Sequence, residues 1–403
     1  MNAVRPLCNV MATAIMAGLV GIQTRAAAEE MTVHDLSVKY VSSEDPNLEL
    51  YYACIKTGLE PKPICAYLHG WHGNRYHLER DFATNQRMLD RYFMIAFDMR
   101  GRGSTGRQAW WGTPDPALQG KEGFASSGTP DVNGWELNDV IDAIEDAKKR
   151  FPGHVLADPV YVIGNSGGGG NTMGIVGKFP DYFAAAYADC GMCDYGKWAE
   201  LTSWRESIER WVGYKLAEKP EAFRSRGGLT TIANRLTPIW LSHGDADTSV
   251  PIILSQLCVD ANAALGKPVP FKVVPGGNHS AGWGDWDAVI KFNDLHPNPP
   301  ALPEKGTLVV AGYLKTRRLE IVLPSIDSIA DCDYDLSDGL SLKLTGGERG
   351  TLKVRLPGDV AVASVKATAG DKPVDVAARR WRDWNEWRFD YAGEATLSAI
   401  SEK

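Results

Sequence analysis

Apolar and polar positions along the chain follow two periods in turn. Short runs rich in β-branched and aromatic residues fall at Val33–Val41, Leu48–Lys56, Ile64–Leu68, Phe93–Phe97, Val160–Ile163, Ala184–Ala188, Ile239–Leu241 and Phe271–Val274. Between them lie stretches of helical period, chiefly Glu136–Phe151 and Ile252–Leu265, where Ile141, Ile144, Ala147 and Lys148 repeat along one face. Strands alternating with helices predict an α/β architecture, a mostly parallel sheet covered by helices on both faces. Two insertions interrupt the alternation. Residues 100–135 are rich in Gly, Pro and Trp and are expected to be irregular. Residues 191–234 are expected to be helical, with Trp198, Trp204 and Trp211 spaced to share one helix side.

The pattern changes after a proline-rich stretch, Asp294–Pro303, whose prolines cannot join a helix or a central strand. Thr307–Val310, Arg318–Leu323, Leu340–Leu344, Thr351–Leu356 and Val360–Thr368 read as short strands between Gly, Pro and Asp turns. This predicts a domain spanning 29–295, a linker over 296–306 and a small β-sandwich-like domain over 307–403. The second domain is expected to be docked on the first and to supply no catalytic group.

With 403 residues, 44% of them hydrophobic, the chain can bury a sizeable core. A net charge of -7 without a basic patch argues against nucleic acid as a partner. The N-terminus reads as a secretory signal over residues 1–28: Arg5, an apolar run Leu7–Ile22, then Ala26-Ala27-Ala28 before Glu29. The run is short for a membrane span, so the mature chain is expected to have none and to be secreted or periplasmic. Export permits disulfides, and Cys190-x-x-Cys193 is expected to be a local bridge or two packed thiols. A second cysteine pair and suitably spaced histidines are both missing, so neither a metal nor a cofactor is expected.

Gly164-Asn165-Ser166-Gly167-Gly168 sits between the run ending at Ile163 and a helical stretch, Asn171–Phe179. Strand, G-x-S-x-G, helix is the setting of a nucleophile elbow, in which a sharp turn exposes the serine hydroxyl. Serine needs a base, and the base needs an orienting acid. In elbow proteins these follow in the order serine, acid, histidine. His279, in a loop just after a strand, is the candidate base. His243 directly follows its own strand and is expected to hydrogen-bond its loop. Asp247 reaches farthest into the loop as candidate acid; Asp245, which could instead cap the following helix, and Asp189 are the alternatives. The oxyanion donors expected are the backbone N–H of Gly167 and, from the loop Leu68-His69-Gly70-Trp71-His72-Gly73, that of Trp71.

His69-Gly70, Asp98-Met-Arg-Gly-Arg-Gly103, Gly164–Gly168, His243-Gly-Asp-Ala-Asp-Thr-Ser-Val-Pro251 and His279 together resemble the α/β-hydrolase superfamily, specifically the prolyl oligopeptidase-like branch and its esterase relatives. The resemblance covers roughly residues 45 to 290, implies an α/β-hydrolase fold and makes Asp247 the acid. The β-propeller that precedes the catalytic domain in true prolyl oligopeptidases has no room here, which places ester hydrolysis ahead of peptide hydrolysis. With 13 tryptophans, several in predicted loops, the chain is expected to take a small-molecule or carbohydrate ester, with Trp110, Trp111 and Trp283 as substrate contacts. A serine peptidase acting on short peptides and a non-catalytic binding protein on the same fold are the alternatives.

Overall fold

The computed structural model describes residues 31–101 and 126–401. The proposed signal segment and most of the first insertion, including Trp110 and Trp111, lie outside the described residues. In chain order the first domain runs β1 (Met31–Val41), β2 (Glu49–Thr57), β3 (Lys62–Leu68), α1 (His77–Phe82), α2 (Gln86–Arg91), β4 (Phe93–Phe97), α3 (Trp135–Arg150), β5 (Val155–Asn165) and α4 (Gly167–Lys178). It continues with β6 (Ala185–Asp189), α5 (Tyr195–Leu201), α6 (Arg205–Val212), α7 (Pro220–Arg226), β7 (Ile239–Gly244), α8 (Ile253–Ala264), β8 (Phe271–Val274) and α9 (Trp286–Asp294).

The eight strands form one sheet in the order β1-β2-β4-β3-β5-β6-β7-β8. The pairs β1/β2 and β2/β4 are antiparallel, and all pairings from β4/β3 to β7/β8 are parallel. The period of two along each strand explains the layers. Ile64, Ala66, Leu68, Val160 and Val162 point into one core with α3 and α4. Their neighbours Cys65, Tyr67, Tyr161 and Ile163 point into a second core with α1, α2 and α9. A strand buried on both faces reads as an unbroken apolar run, as the central strands here do.

The second insertion is not one helix. It breaks into α5, α6 and α7, so Trp198 and Trp211 sit on different helices and Trp204 precedes α6. Thr202 and Ser203 end α5, which resets the helical phase between the tryptophans. Their rings still share one cluster, with Trp71, Tyr195 and Phe223.

Beyond the linker, β9 (Lys305–Ala311), β10 (Tyr313–Lys315), β11 (Glu320–Val322), β12 (Ile329–Asp335), β13 (Gly339–Gly346), β14 (Gly350–Pro357), β15 (Val362–Ala369), β16 (Lys372–Val374), β17 (Ala377–Trp381), β18 (Trp384–Tyr391) and β19 (Glu394–Ser401) form one antiparallel sheet, ordered β16-β15-β19-β13-β12-β9-β10-β11-β14-β18-β17. Leu342 and Leu397 from one half share a core with Val354 and Phe389 from the other, so the sheet folds over itself as a sandwich does.

The two domains share a buried contact. Tyr313 belongs to the first domain's core: its ring stacks on Trp135 at 4.6 Å, and its hydroxyl donates to the Gly134 carbonyl at 2.9 Å. Around it the Arg355 guanidinium binds Glu44 at 2.9 Å, Glu320 at 2.8 Å and Glu386 at 2.7 Å. Lys315 donates to Glu44 at 2.8 Å and to Asn138 at 2.7 Å. Burial opposes ionisation of Glu44, but Lys315 and Arg355 outweigh it and hold the carboxyl well below the usual range. Truncation after Pro300 removes Tyr313, Lys315 and Arg355 together and leaves an apolar face and an unpaired carboxylate. The expected product is aggregated protein on size-exclusion chromatography; a monodisperse, active fragment would show that the contact contributes little.

Lys178, at the end of α4, lies in the same interface. Its ammonium donates to the Ala311 carbonyl and lies over the Tyr313 ring at 4.8 Å. Burial, reinforced by Arg226, lowers its pKa to about 7. Unfolded lysine titrates near 10.4, so between about pH 7 and 10 the unfolded chain holds the extra proton and stability rises with pH. Lys178→Met removes this term. Its thermal midpoint is expected to gain most on wild type near pH 6 and progressively less toward pH 9; a difference constant across that range would refute the assignment.

Candidate active site

Ser166 occupies the turn from β5 into α4 with φ 58° and ψ -120°, a left-handed conformation costly for a non-glycine residue. The turn packs tightly against β3: a Cβ at Gly168 would lie 1.8 Å from the Leu68 carbonyl oxygen, and one at Gly164 would lie 2.1 Å from that of Gly168. The Ser166 N–H donates to the Asp189 carbonyl at 2.9 Å, which ties the turn to the end of β6.

His279, in the loop after β8, brings Nε2 to 2.9 Å from Ser166 Oγ. Its Nδ1 lies 2.7 Å from Asp247 Oδ2. A carboxylate can only accept, so Nδ1 carries the hydrogen and Nε2 has a lone pair for the Ser166 hydroxyl. Asp247 is itself held. Its side chain has no exposed surface, and its Oδ1 accepts the N–H groups of Ser249 at 2.8 Å and Val250 at 3.0 Å. Burial raises the Asp247 pKa, but hydrogen bonds from His243, His279 and Val250 prevail, so the carboxyl is held well below the usual range.

The competing acids do other work. Asp245 does not cap a helix: its Oδ1 accepts the Gly276 N–H at 2.6 Å and braces the loop that carries His279. Asp189 accepts from Ser242 at 2.5 Å and from Asn165 at 2.9 Å, with no contact to His279. His243 turns Nε2 toward the Val250 carbonyl at 2.7 Å and Asp247 at 3.3 Å, so it supports the acid's loop from below.

Trp71 lies beside Ser166. A Cβ on Gly167 would fall 2.7 Å from the Trp71 nitrogen, so the two backbone segments are in close approach at the mouth of the turn. The glycine that permits this is Gly167 and not Gly70, where an added Cβ would make an ordinary 3.8 Å contact with Ser166. The Trp71 indole lies against Trp211 at 4.2 Å, meets Trp198 edge-on at 4.9 Å and donates to Ser207 at 3.0 Å. Around Ser166 lies a cleft of about 290 Å³, walled by Trp71, Trp198, Trp204 and Val250, with Tyr67, His77 and Arg80 at its other side. Trp283 does not line it. Its ring stacks between Tyr67 at 5.7 Å and Tyr187 at 5.8 Å in the second core, because the loop after His279 turns back onto the sheet.

Two residues of the site, Asn165 and Ser280, have no role assigned from the sequence although they adjoin its key positions. Asn165, just before Ser166, donates to Ser280 at 3.0 Å as well as to Asp189, and Ser280 follows His279 with φ 67°. The bridge couples the nucleophile's turn to the base's loop. Adjacency to Ser166 and His279 was the signal available, but neither residue type carries a motif.

Among the described residues, one grouping offers metal-ligand atoms: Cys190, Asp247 and His279, within 4.8 Å of one another. Its carboxylate and imidazole are already committed to each other, and burial drives the Cys190 thiol pKa up, away from the thiolate a metal needs. The Cys190–Cys193 spacing forms no bridge; both thiols are free and buried.

Residues 119–292 match the model of the prolyl oligopeptidase family. The first domain has the α/β-hydrolase fold and, over these residues, is similar to the prolyl oligopeptidase family. The uncharacterized peptidase YuxL of Bacillus subtilis is 27% identical over 165 residues, which cover 39% of this chain and 24% of that protein. The Pyrococcus horikoshii acylaminoacyl peptidase shares the hydrolase fold at a TM-score of 0.53 and 18% identity, over 67% of this chain and 42% of its own. A puromycin-hydrolyzing peptidase of Mycobacterium tuberculosis does so at 0.50 and 17%, over 66% and 40%. The chain thus spans less than half the length of each of these relatives. In an α/β-hydrolase the serine after β5 and the loops after β7 and β8 meet at the carboxyl ends of parallel strands, as Ser166, Asp247 and His279 do here.

Proposed function

We propose that the protein is an exported serine hydrolase that cleaves carboxylic esters through an acyl-enzyme, its substrates being acyl groups on a saccharide. The observation that carries the reading is the continuous hydrogen-bonded line from Asp247 Oδ2 through His279 to Ser166 Oγ, opening into an aromatic cleft. His279 Nε2 takes the Ser166 proton as Oγ attacks the carbonyl carbon. The oxyanion is received by the N–H groups of Gly167 and Trp71. His279 then passes the proton to the leaving alkoxide, and water repeats the sequence to release the acid and restore Ser166.

Ester is favoured over peptide by the cleft's chemistry. Among the described residues lining it there is no carboxylate to receive a peptide amine, and the aromatic wall suits a neutral acyl group. Hydrolysis of short peptides is the second reading, because the relatives named above are peptidases and Arg80 at the rim offers a cation to a peptide carboxylate. Export rests on the segment 1–28. A panel of p-nitrophenyl acetate, aminoacyl p-nitroanilides and acetylated xylo-oligosaccharides separates these readings. The expected result is turnover of the acetates with little on the anilides; the reverse preference would install the peptidase reading.

A further inference from the structure

A second, larger cavity of about 720 Å³ lies between the domains, within the range of small-molecule sites, roughly 300–1,000 Å³. Its walls come from β1, α3, the segment after α4, the β10–β11 turn and the β17–β18 turn. Phe179, which caps α4, lines it, whereas Ser166 precedes α4. At 1.5 Å per residue the cavity is therefore about 20 Å from the nucleophile along that helix.

Three features define what this cavity fits. The turn between β17 and β18 presents two half-buried indoles, Trp381 and Trp384. One face of Trp381 is covered by the Arg355 guanidinium at 3.5 Å, which fixes the ring, and Lys315 at 5.5 Å and Arg382 at 5.4 Å lie farther from it. Trp384 has no polar partner for its indole N–H among the described residues, so that donor is available. Next, Asp142 on α3 accepts from the Ser43 N–H and the Asn138 amide with Oδ2 alone. Its Oδ1 lies 3.7 Å from the Arg382 guanidinium and keeps lone pairs for another donor. Finally, acidic and basic side chains line the cavity in equal number, so it presents no net charge to attract an ion.

We infer that this interdomain cavity is a binding site for a neutral oligosaccharide. A pyranose ring pairs an apolar C–H face, which suits a fixed indole, with a rim of hydroxyl groups, which suits a carboxylate, a guanidinium and an indole N–H. The absence of net charge disfavours phosphorylated or polyanionic ligands. The site is separate from the cleft and holds the sugar chain whether or not its acyl groups are attached.

The test is calorimetric titration of the full chain with unacylated xylohexaose, mannohexaose and cellohexaose. At least one is expected to bind wild type and Ser166→Ala alike, and to bind equally well after a fluorophosphonate has filled the cleft. Trp384→Ala is expected to weaken that binding by at least about tenfold, a loss typical of a central aromatic contact. Its p-nitrophenyl acetate turnover should stay near wild type. Should Trp384→Ala not fold, hydrogen exchange on wild type decides: the bound hexaose must slow segments 138–150 and 381–385. Failure of all three sugars to bind, loss of binding on blocking the cleft, or unchanged affinity in a folded Trp384→Ala overturns the site. Because the probes carry no ester, these outcomes are independent of which bond Ser166 cleaves.

Discussion

Ser166→Ala lowers kcat for p-nitrophenyl acetate by roughly 10⁴- to 10⁶-fold, the range seen when a triad member is removed. The loss falls on kcat because the hydroxyl is the attacking atom. The cleft walls, the His279–Asp247 hydrogen bond and the N–H groups of Gly167 and Trp71 are untouched by the change. The backbone gives a further reason for choosing alanine. Ser166 holds a left-handed φ that any Cβ-bearing residue resists, and alanine adds no strain beyond that of serine. Unfolding of wild type and variant should therefore nearly coincide. A variant that keeps activity within about tenfold of wild type would falsify the nucleophile assignment, since residual catalysis by the remaining groups is orders of magnitude lower. Mass mapping of a fluorophosphonate adduct gives the same answer without mutation.

Asp247→Asn is expected to reduce kcat by about 10⁴-fold, because an amide can turn its N–H₂ toward Nδ1 and stabilise the tautomer with the proton on Nε2. In that tautomer the lone pair faces the wrong way and Ser166 loses its base. The charge that stabilises the imidazolium is lost as well, and His243 is left against a group that no longer attracts its N–H as strongly. Asp245→Asn is the internal control. Its carboxylate meets only the Gly276 N–H, which an amide oxygen can also receive, so activity should stay within a few-fold of wild type. Kinetics of the two variants side by side are decisive, and a larger loss in Asp245→Asn would reverse the assignment.

The hydrolase sheet was legible because its central strands are buried on both faces, and unbroken apolar runs such as Phe93–Phe97 stand out. Chain order and strand ends narrow the candidates to Ser166, Asp247 and His279, which the structure brings within hydrogen-bond distance of one another. Segments that mix apolar and charged residues were harder to read. β12 alternates Ala330, Cys332 and Tyr334 inward with Asp331 and Asp333 outward, so half of it reads as a charged loop. β18 hides the buried Glu386 among tryptophans, a position only its three arginine partners make tolerable. Trp283 was misassigned because an aromatic residue near a catalytic histidine looks like a substrate wall. Its partners Tyr67 and Tyr187 come from β3 and β6, far apart in sequence. The same non-local logic hid the interdomain ion cluster, in which Glu44 lies 271 residues from Lys315 and 311 from Arg355.

The cysteines of the described residues have a practical consequence. Cys54, Cys65, Cys190, Cys193, Cys258 and Cys332 are all unbridged and buried, and burial raises every one of their pKa values, Cys54 and Cys258 to about 12. Thiols so protected react slowly with alkylating agents and peroxide. Among the described residues, no disulfide has to form for this fold. Dithiothreitol kept through purification is therefore compatible with the described fold, and an electrophile is expected to meet little competition from these six thiols at neutral pH.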